Sequence, residues 1–326
     1  MKRIGSSIIS GKFQPVPLWT LDTKGVAINH LSLSNSGQEL AVSLWNGTIQ
    51  ILSSRTGRLS YTIPFQKNDV VVTASKFHPN ENQLLLSCSS EGHVGMCSFS
   101  NQNYSFIMKE PENSIYCCEF SAAGETFFTA GKDSKIRQYD TFSNKMIQEM
   151  SKDSPSTTIA HMSRVYSLIQ TPALPSIMFS GGWDNKVIMW DTRTGNGTMS
   201  FGGPNICGDS LDVRDNYLLT GSWREKNPLE LWDIRTGKTV KSAQWGKGDV
   251  CYIYSAKFSQ RSDFIVAGGS ESTSLKIFMQ KDLTNRERLG YFAGTVNTVI
   301  VTPDGDLVFA GSQNGVCQAF NQITVE

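Results

Sequence analysis

The chain writes one phrase twice. Met189-Trp190-Asp191-Thr192-Arg193-Thr194-Gly195 and Leu231-Trp232-Asp233-Ile234-Arg235-Thr236-Gly237 stand 42 residues apart. A near-copy at such an interval signals a stacked repeat array. The strand leading into the Trp recurs in degenerate form, at Leu52, Cys97, Tyr139, Trp190, Trp232, Phe278 and Phe320, with spacings of 45, 42, 51, 42, 46 and 42. A second, mostly apolar mark, placed with the first in view, falls at Leu33, Phe77, Phe120, Gln170, Val213, Phe258 and Val301. It lies 19 or 20 residues before its partner in every unit. The spacing predicts seven units.

Each unit reads as a small antiparallel sheet. Lys186-Val187-Ile188-Met189-Trp190 and Gln83-Leu84-Leu85-Leu86-Ser87 are short apolar strands bounded by Gly, Asn and Ser. No stretch sustains helical periodicity over several capped turns. One such sheet cannot bury its apolar faces alone, whereas radial stacking buries both and leaves only short edges. Seven units use nearly all 326 residues, so the expectation is one domain over 1–326.

The Trp-Asp pair ending a strand, the Thr-Gly turn after it and the Val301-Thr302-Pro303-Asp304-Gly305 turn resemble the WD40-repeat family. The resemblance covers essentially the whole chain and is strongest in units 4, 5 and 7. It implies an all-β, seven-bladed β-propeller of four-stranded antiparallel blades. Ser180-Gly181-Gly182-Trp183-Asp184-Asn185-Lys186 is also similar to the small single-propeller proteins of the mitotic checkpoint and mRNA export.

Phe320 lies six residues from the end of the sequence, too little for an outer strand after it. Val16-Pro17-Leu18-Trp19-Thr20-Leu21, ahead of the first unit, reads like one. The segment 1–25 is therefore expected to complete blade 7 and close the ring, which removes the exposed end sheets.

Composition excludes several classes. Thirty Lys and Arg against 29 Asp and Glu give a net charge of +1 without a basic run, so nucleic-acid binding is not supported. No apolar stretch approaches the length of a membrane span, and the basic N-terminus has no apolar region behind it. Seven cysteines without a Cys-x-x-Cys pair fit reduced, mostly buried thiols in an intracellular protein. His30, His78, His93 and His161 are too scattered for a metal cluster. No nucleotide, metalloprotease or hydrolase motif occurs, and no cofactor or metal is expected.

By resemblance, blade 4 carries the family's internal network of His161, Ser180, Asp184 and Trp190. The other blades lack members of it and are expected to rest on apolar packing. A Ser, a His and an Asp together also spell a hydrolase triad, which leaves a propeller hydrolase as a remote alternative. Family geometry places the residue before the Asp of the second turn on the upper surface. That residue is Trp45, Trp183 and Trp223 in blades 1, 4 and 5, three of the seven Trp. The upper ends of the inner strands add Tyr116, Tyr166, Asp209 and Tyr254, with Arg164 nearby. Exposed aromatics beside an Arg have the composition of a binding hot spot; packing of each Trp onto its own blade is the plainer alternative. A longer inter-strand turn at Trp223–Pro228 and a polar loop at Lys152–Thr158 extend the same side, and Ser154-Pro155 is a lesser phosphorylation candidate.

The function expected is a non-enzymatic scaffold or adaptor subunit that binds a protein or peptide on its upper face. The alternative is a substrate receptor of a cullin-RING ubiquitin ligase. Some such receptors carry Trp-Asp-x-Arg at the end of a blade, as do Trp190-Asp191-Thr192-Arg193 and Trp232-Asp233-Ile234-Arg235.

Overall fold

The computed structural model describes residues 16–64, 70–99, 103–153, 159–246 and 248–321. These residues form 28 strands, arranged as seven separate four-stranded sheets. No helix among them is long and apolar enough to cross a membrane. Blade 4 shows the plan, with an inner strand Val165–Gln170, a second strand Ile177–Gly182, a third strand Lys186–Asp191 and an outer strand Asn196–Gly202. All neighbours within a blade pair antiparallel.

The two sequence marks fall where the repeat requires. Leu52, Cys97, Tyr139, Trp190, Trp232, Phe278 and Phe320 all lie buried in third strands. Five residues earlier in each blade, Gly47, Gly92, Ser134, Asn185, Asn227, Thr273 and Gly315 all have φ between 46° and 80°. The turn between second and third strands needs one left-handed residue, which Gly and Asn supply at least cost. The Thr-Gly phrase has the same origin, since Gly195 and Gly237 adopt φ of 72° and 68° in the next turn.

The apolar core lies between blades rather than at a single centre. Seven buried clusters occur, and each straddles two adjacent blades. Between blades 3 and 4, for example, Phe128, Ile136 and Met150 meet Val165, Met178 and Trp190. The inner-strand edges carry backbone groups that no neighbouring strand pairs. Side chains of the adjacent blade satisfy several of them. Thr298 Oγ1 accepts from the Leu31 amide at 3.2 Å, and Ser32 Oγ accepts from the Phe77 amide at 3.3 Å. Asp212 does the same for Phe258 at 2.8 Å, and Ser255 for Val299 at 3.0 Å.

The N-terminal strand closes the ring. Trp19–Asp22 pairs antiparallel with the last strand, Trp19 opposite Ala319 and Asp22 opposite Val316. The Trp19 ring packs 5.7 Å from Phe309, and its indole N–H donates to the Ser54 carbonyl of blade 1 at 2.8 Å. The strand begins three residues later than the sequence suggests. Val16 and Leu18 expose their side chains, and Pro17 has no N–H to offer a ladder.

Deleting residues 1–21 is expected to bare the edge of the last strand and to cause aggregation or a large drop in melting temperature. A truncated protein that stays monomeric and melts at the full chain's temperature would contradict this role of the strand.

Candidate functional site

A repeated backbone irregularity builds the upper mouth of the channel. The ladder between inner and second strands slips between Ile28 and His30, Val72 and Ala74, Ile115 and Cys117, Val165 and Ser167, Ile253 and Ser255, and Val296 and Thr298. The skipped residues are Asn29, Thr73, Tyr116, Tyr166, Tyr254 and Asn297. A bulge leaves its extra residue unpaired and re-aims its side chain. All six line one cavity of about 500 Å³, together with Asp209 of blade 5.

These six divide by chemistry. Asn29 donates to the Val72 carbonyl at 2.9 Å, Thr73 to the Ile115 carbonyl at 2.7 Å, and Asn297 to the Ile28 carbonyl at 2.9 Å. Each ties its blade to the next, so the sector of blades 7, 1 and 2 is cross-linked. The remaining three are tyrosines, on blades 3, 4 and 6. Tyr116 and Tyr166 stack at 4.7 Å with 7° between planes. Trp183 meets Tyr166 edge-on at 5.9 Å, and the Arg164 guanidinium lies 5.3 Å above the Trp183 ring. Trp223 packs 4.7 Å from Tyr252, whose hydroxyl donates to Glu225.

Trp45, Trp183 and Trp223 are 59, 38 and 37% exposed. Trp45 lines the cavity and an adjoining hollow between blades 7 and 1. Trp183 and Trp223 stand on the face outside the cavity. The structure thus brings Arg164, Tyr116, Tyr166 and Trp183 into one contact group, while Trp223 joins Tyr252 and Trp45 stands apart. The loop at 154–158, with the Ser154-Pro155 pair, lies outside the described residues.

Asp209 is part of the floor, with its carboxylate committed. It accepts from Lys257 at 2.9 Å and from Ser167 at 3.2 Å, and meets His30 Nε2 at 3.3 Å. His30 Nδ1 accepts the Ser75 amide, which leaves the proton on Nε2 for Asp209. His30 belongs to blade 1 and Asp209 to blade 5, so the contact crosses the channel. Burial alone would raise the Asp209 carboxyl, but Lys257, Lys76 and His30 hold it well below the usual carboxylate range. Burial likewise opposes the charge on Lys76, yet Glu119 at 3.1 Å and Asp209 keep it firmly protonated. Burial dominates at His30 and lowers its pKa.

Sequence reasoning missed Lys76, Glu119, Lys257 and His30 in this floor. A signal was present: Lys76, Glu119, Asp212 and Lys257 each stand one residue before an inner-strand mark. A charge repeated at one register of otherwise apolar strands points into the channel.

In blade 4, His161 Nδ1 lies 3.0 Å from Asp184, His161 Nε2 lies 2.7 Å from Ser180 Oγ, and the Trp190 indole N–H donates to Ser180 Oγ at 2.7 Å. The distances match a hydrolase triad, but Ser180 is 0% exposed and its oxygen already receives the Trp190 proton. No substrate reaches it. The expectation that every other blade rests on apolar packing needs correction. In blade 3, buried Glu110 accepts from Asn113 at 2.6 Å, Arg137 at 2.9 Å, Tyr139 at 3.1 Å and Thr129. Thr129 and Tyr139 stand at the positions of Ser180 and Trp190, so an acidic hub replaces the histidine. Blade 5 keeps one link, Trp232 to Thr220 at 3.1 Å.

Two measurements test these networks. Glu110→Ala strands Asn113, Thr129 and Tyr139 while Arg137 keeps Asp133, and is expected to cost at least the roughly 1–3 kcal/mol of one stranded buried donor in urea unfolding; a loss below about 0.5 kcal/mol would show that packing alone holds blade 3. In blade 4, burial opposes the Asp184 charge, but His161 and the Met162 amide outweigh it and the carboxyl is lowered. A lowered folded value means that this stabilisation is complete above the unfolded value, about 3.9, and is lost as pH falls through the folded one. Asp184→Asn should therefore destabilise most at neutral pH, and its melting-temperature deficit should shrink below about pH 4. A deficit independent of pH would count against a charged Asp184.

The model described as "Anaphase-promoting complex subunit 4 WD40 domain" matches residues 12–78, and "WD domain, G-beta repeat" matches residues 102–140 and 153–191. A guanine nucleotide-binding protein subunit beta of Oryza sativa subsp. japonica is 22% identical over 267 residues, covering 76% of this chain and 67% of that protein. Autophagy-related protein 16 of Arabidopsis thaliana is 28% identical over 142 residues, 42% of this chain and 26% of that protein. A chain from "Crystal Structure of Mitotic Checkpoint Complex" superposes with a TM-score of 0.82 at 19% identity, covering 99% of this chain and 96% of that one. At that identity the likeness concerns the fold. With seven closed four-stranded blades the chain is a β-propeller, similar in fold to that chain and matching the WD-repeat model in blades 3 and 4.

Proposed function

We propose that this propeller is a non-enzymatic scaffold that binds a peptide or protein surface on its upper face, through the mouth and the aromatic group beside it. One observation carries the reading. Tyr116, Tyr166 and Trp183 form a contiguous ring cluster under Arg164, at the edge of an open cavity of about 500 Å³. Pre-packed aromatics lose little conformational freedom on binding, which suits them to anchor a partner. A G-protein subunit and a chain from a checkpoint complex are each, by name, parts of larger assemblies. The seven cysteines are all free and six are buried, which supports an intracellular setting.

The ligase-receptor alternative has a weaker footing. Arg193 and Arg235 each grip the Asp two residues earlier through two hydrogen bonds, at 3.0 and 2.7 Å and at 3.1 and 2.8 Å. That fork holds the turn and is sufficient reason for an Arg there.

Trp183→Ala and Trp223→Ala should leave melting temperature nearly unchanged and weaken partner binding about thirtyfold or more, the cost of a hot-spot truncation. Affinity purification with quantitative mass spectrometry, wild type against each variant, makes the comparison. Partners that persist after both Trp changes but vanish after Arg193→Ala or Arg235→Ala would replace this reading with the ligase one.

A further inference from the structure

Several charges around the mouth are paired. Lys76 is paired with Glu119 at 3.1 Å, Lys257 with Asp209 at 2.9 Å, Arg224 with Glu230 at 2.6 Å, and Lys276 with Asp249 at 3.6 Å. On the same face Arg137 is held by Glu110 and Asp133. Arg164 differs. It makes no ion pair among the described residues, and the connection ahead of it, Ser154-Pro155-Ser156-Thr157-Thr158, contains no carboxylate. The side chain is nevertheless placed, with its guanidinium over the Trp183 ring and Tyr166 beside it. Arg164 donates to Tyr166, and a guanidinium's five N–H donors leave others in plane, the geometry that grips a carboxylate.

We infer that Arg164 recognises a carboxylate side chain of an extended acidic peptide, whose neighbouring large apolar side chain enters the mouth cavity between Tyr166 and Tyr254. The inference rests on the upper-face reading above and adds the chemistry of the partner. Charge complementarity selects the acidic group, because Arg164 makes no ion pair among the described residues and its guanidinium is held beside the cavity by Trp183 and Tyr166. The cavity selects the neighbour. Its wall beside Arg164 is built from Tyr116, Tyr166, Tyr254, Leu168 and Cys207, and such a wall rewards apolar burial. A nucleic acid fits less well, since phosphate-backbone binding calls for several uncommitted cations along a track. Among the described residues the cavity is lined by one Lys, Lys76, already paired with Glu119, in a chain of net charge +1.

The test is a selection from a displayed random 12-residue peptide library on the immobilised full chain, followed by calorimetric titration of the best synthetic peptide. The proteins are wild type, Arg164→Ala, Arg164→Lys and the Trp183→Ala, Trp223→Ala double variant, each checked for an unchanged melting temperature. The expected peptides carry Asp or Glu beside a large apolar residue. Arg164→Ala should weaken the best peptide at least tenfold, with Arg164→Lys recovering part of the loss. Changing the peptide's Asp to Asn or Glu to Gln should cost wild type as much and Arg164→Ala almost nothing.

Peptides without acidic enrichment, bound equally by Arg164→Ala but lost by the Trp double variant, would overturn this inference and leave the upper-face reading standing. Peptides indifferent to every variant, or no enrichment at all, would overturn both. Arg164-dependent binding of a single-stranded oligonucleotide in place of any peptide would overturn the inference in favour of a phosphate ligand.

Discussion

Four residues of N-terminal strand hold the ring shut. Every blade is a sheet whose two apolar faces need neighbours, and the clusters between blades supply them only if the circle has no ends. Pairing of Trp19–Asp22 with the last strand makes blade 7 from both ends of the described chain. The Trp19 indole then reaches on to blade 1 through the Ser54 carbonyl. The closure is therefore a strand ladder and an inter-blade contact at once. Without it blades 1 and 7 would each present an unburied face to water.

Closure also explains how the channel wall is put together. Inner strands of neighbouring blades approach side by side without forming a continuous sheet, so their facing amides look to side chains for partners. Small hydroxyls and amides do this in blades 7, 1 and 2, and Asp212 does it in blade 5. Where a bulge places tyrosine instead, Tyr116 and Tyr166 stack on one another and Tyr254 hydrogen-bonds Trp223, and the rings remain partly open to solvent. The same backbone device thus yields a cross-linked sector and an aromatic sector around one mouth. Beneath both, the His30–Asp209–Lys257 and Lys76–Glu119 contacts fill the floor with neutralised charge. Arg164 stands outside that neutralised set.

The repeat preserves positions more strictly than residues. Ser180 and Thr129 occupy one site in blades 4 and 3, as do Trp190 and Tyr139, but a histidine hub in one becomes a glutamate hub in the other. Each solution satisfies its own buried donors and acceptors, and that is the physical requirement. The left-handed turn residue is Gly in three blades, Asn in two, Ser in one and Thr in one, with φ positive in all seven. Degeneracy of this kind weakens a sequence signature while leaving the geometry intact.

The order of the fold was legible in the sequence because period is a one-dimensional property. Two copies of a phrase, five worn ones and a constant offset were enough for seven sheets. The leftover strand at the front, set against a shortened last unit, was enough for the closure. The blade 4 network was legible through its motif, and Trp45, Trp183 and Trp223 through their place in the turn. What stands beside what across the channel was not legible. His30 and Asp209 are 179 residues apart, and only the curvature of the closed ring brings them together. Glu110 could not be recognised as a hub because its four donors converge on it from different strands and turns. Nor could the sequence tell a rim residue from a floor residue: Tyr166 and Asp209 hold equivalent positions, yet one ring packs at the opening and one carboxylate is drawn down by Lys257 and His30. Tertiary structure decided those matters because the channel's distances and counter-ions come from seven blades at once.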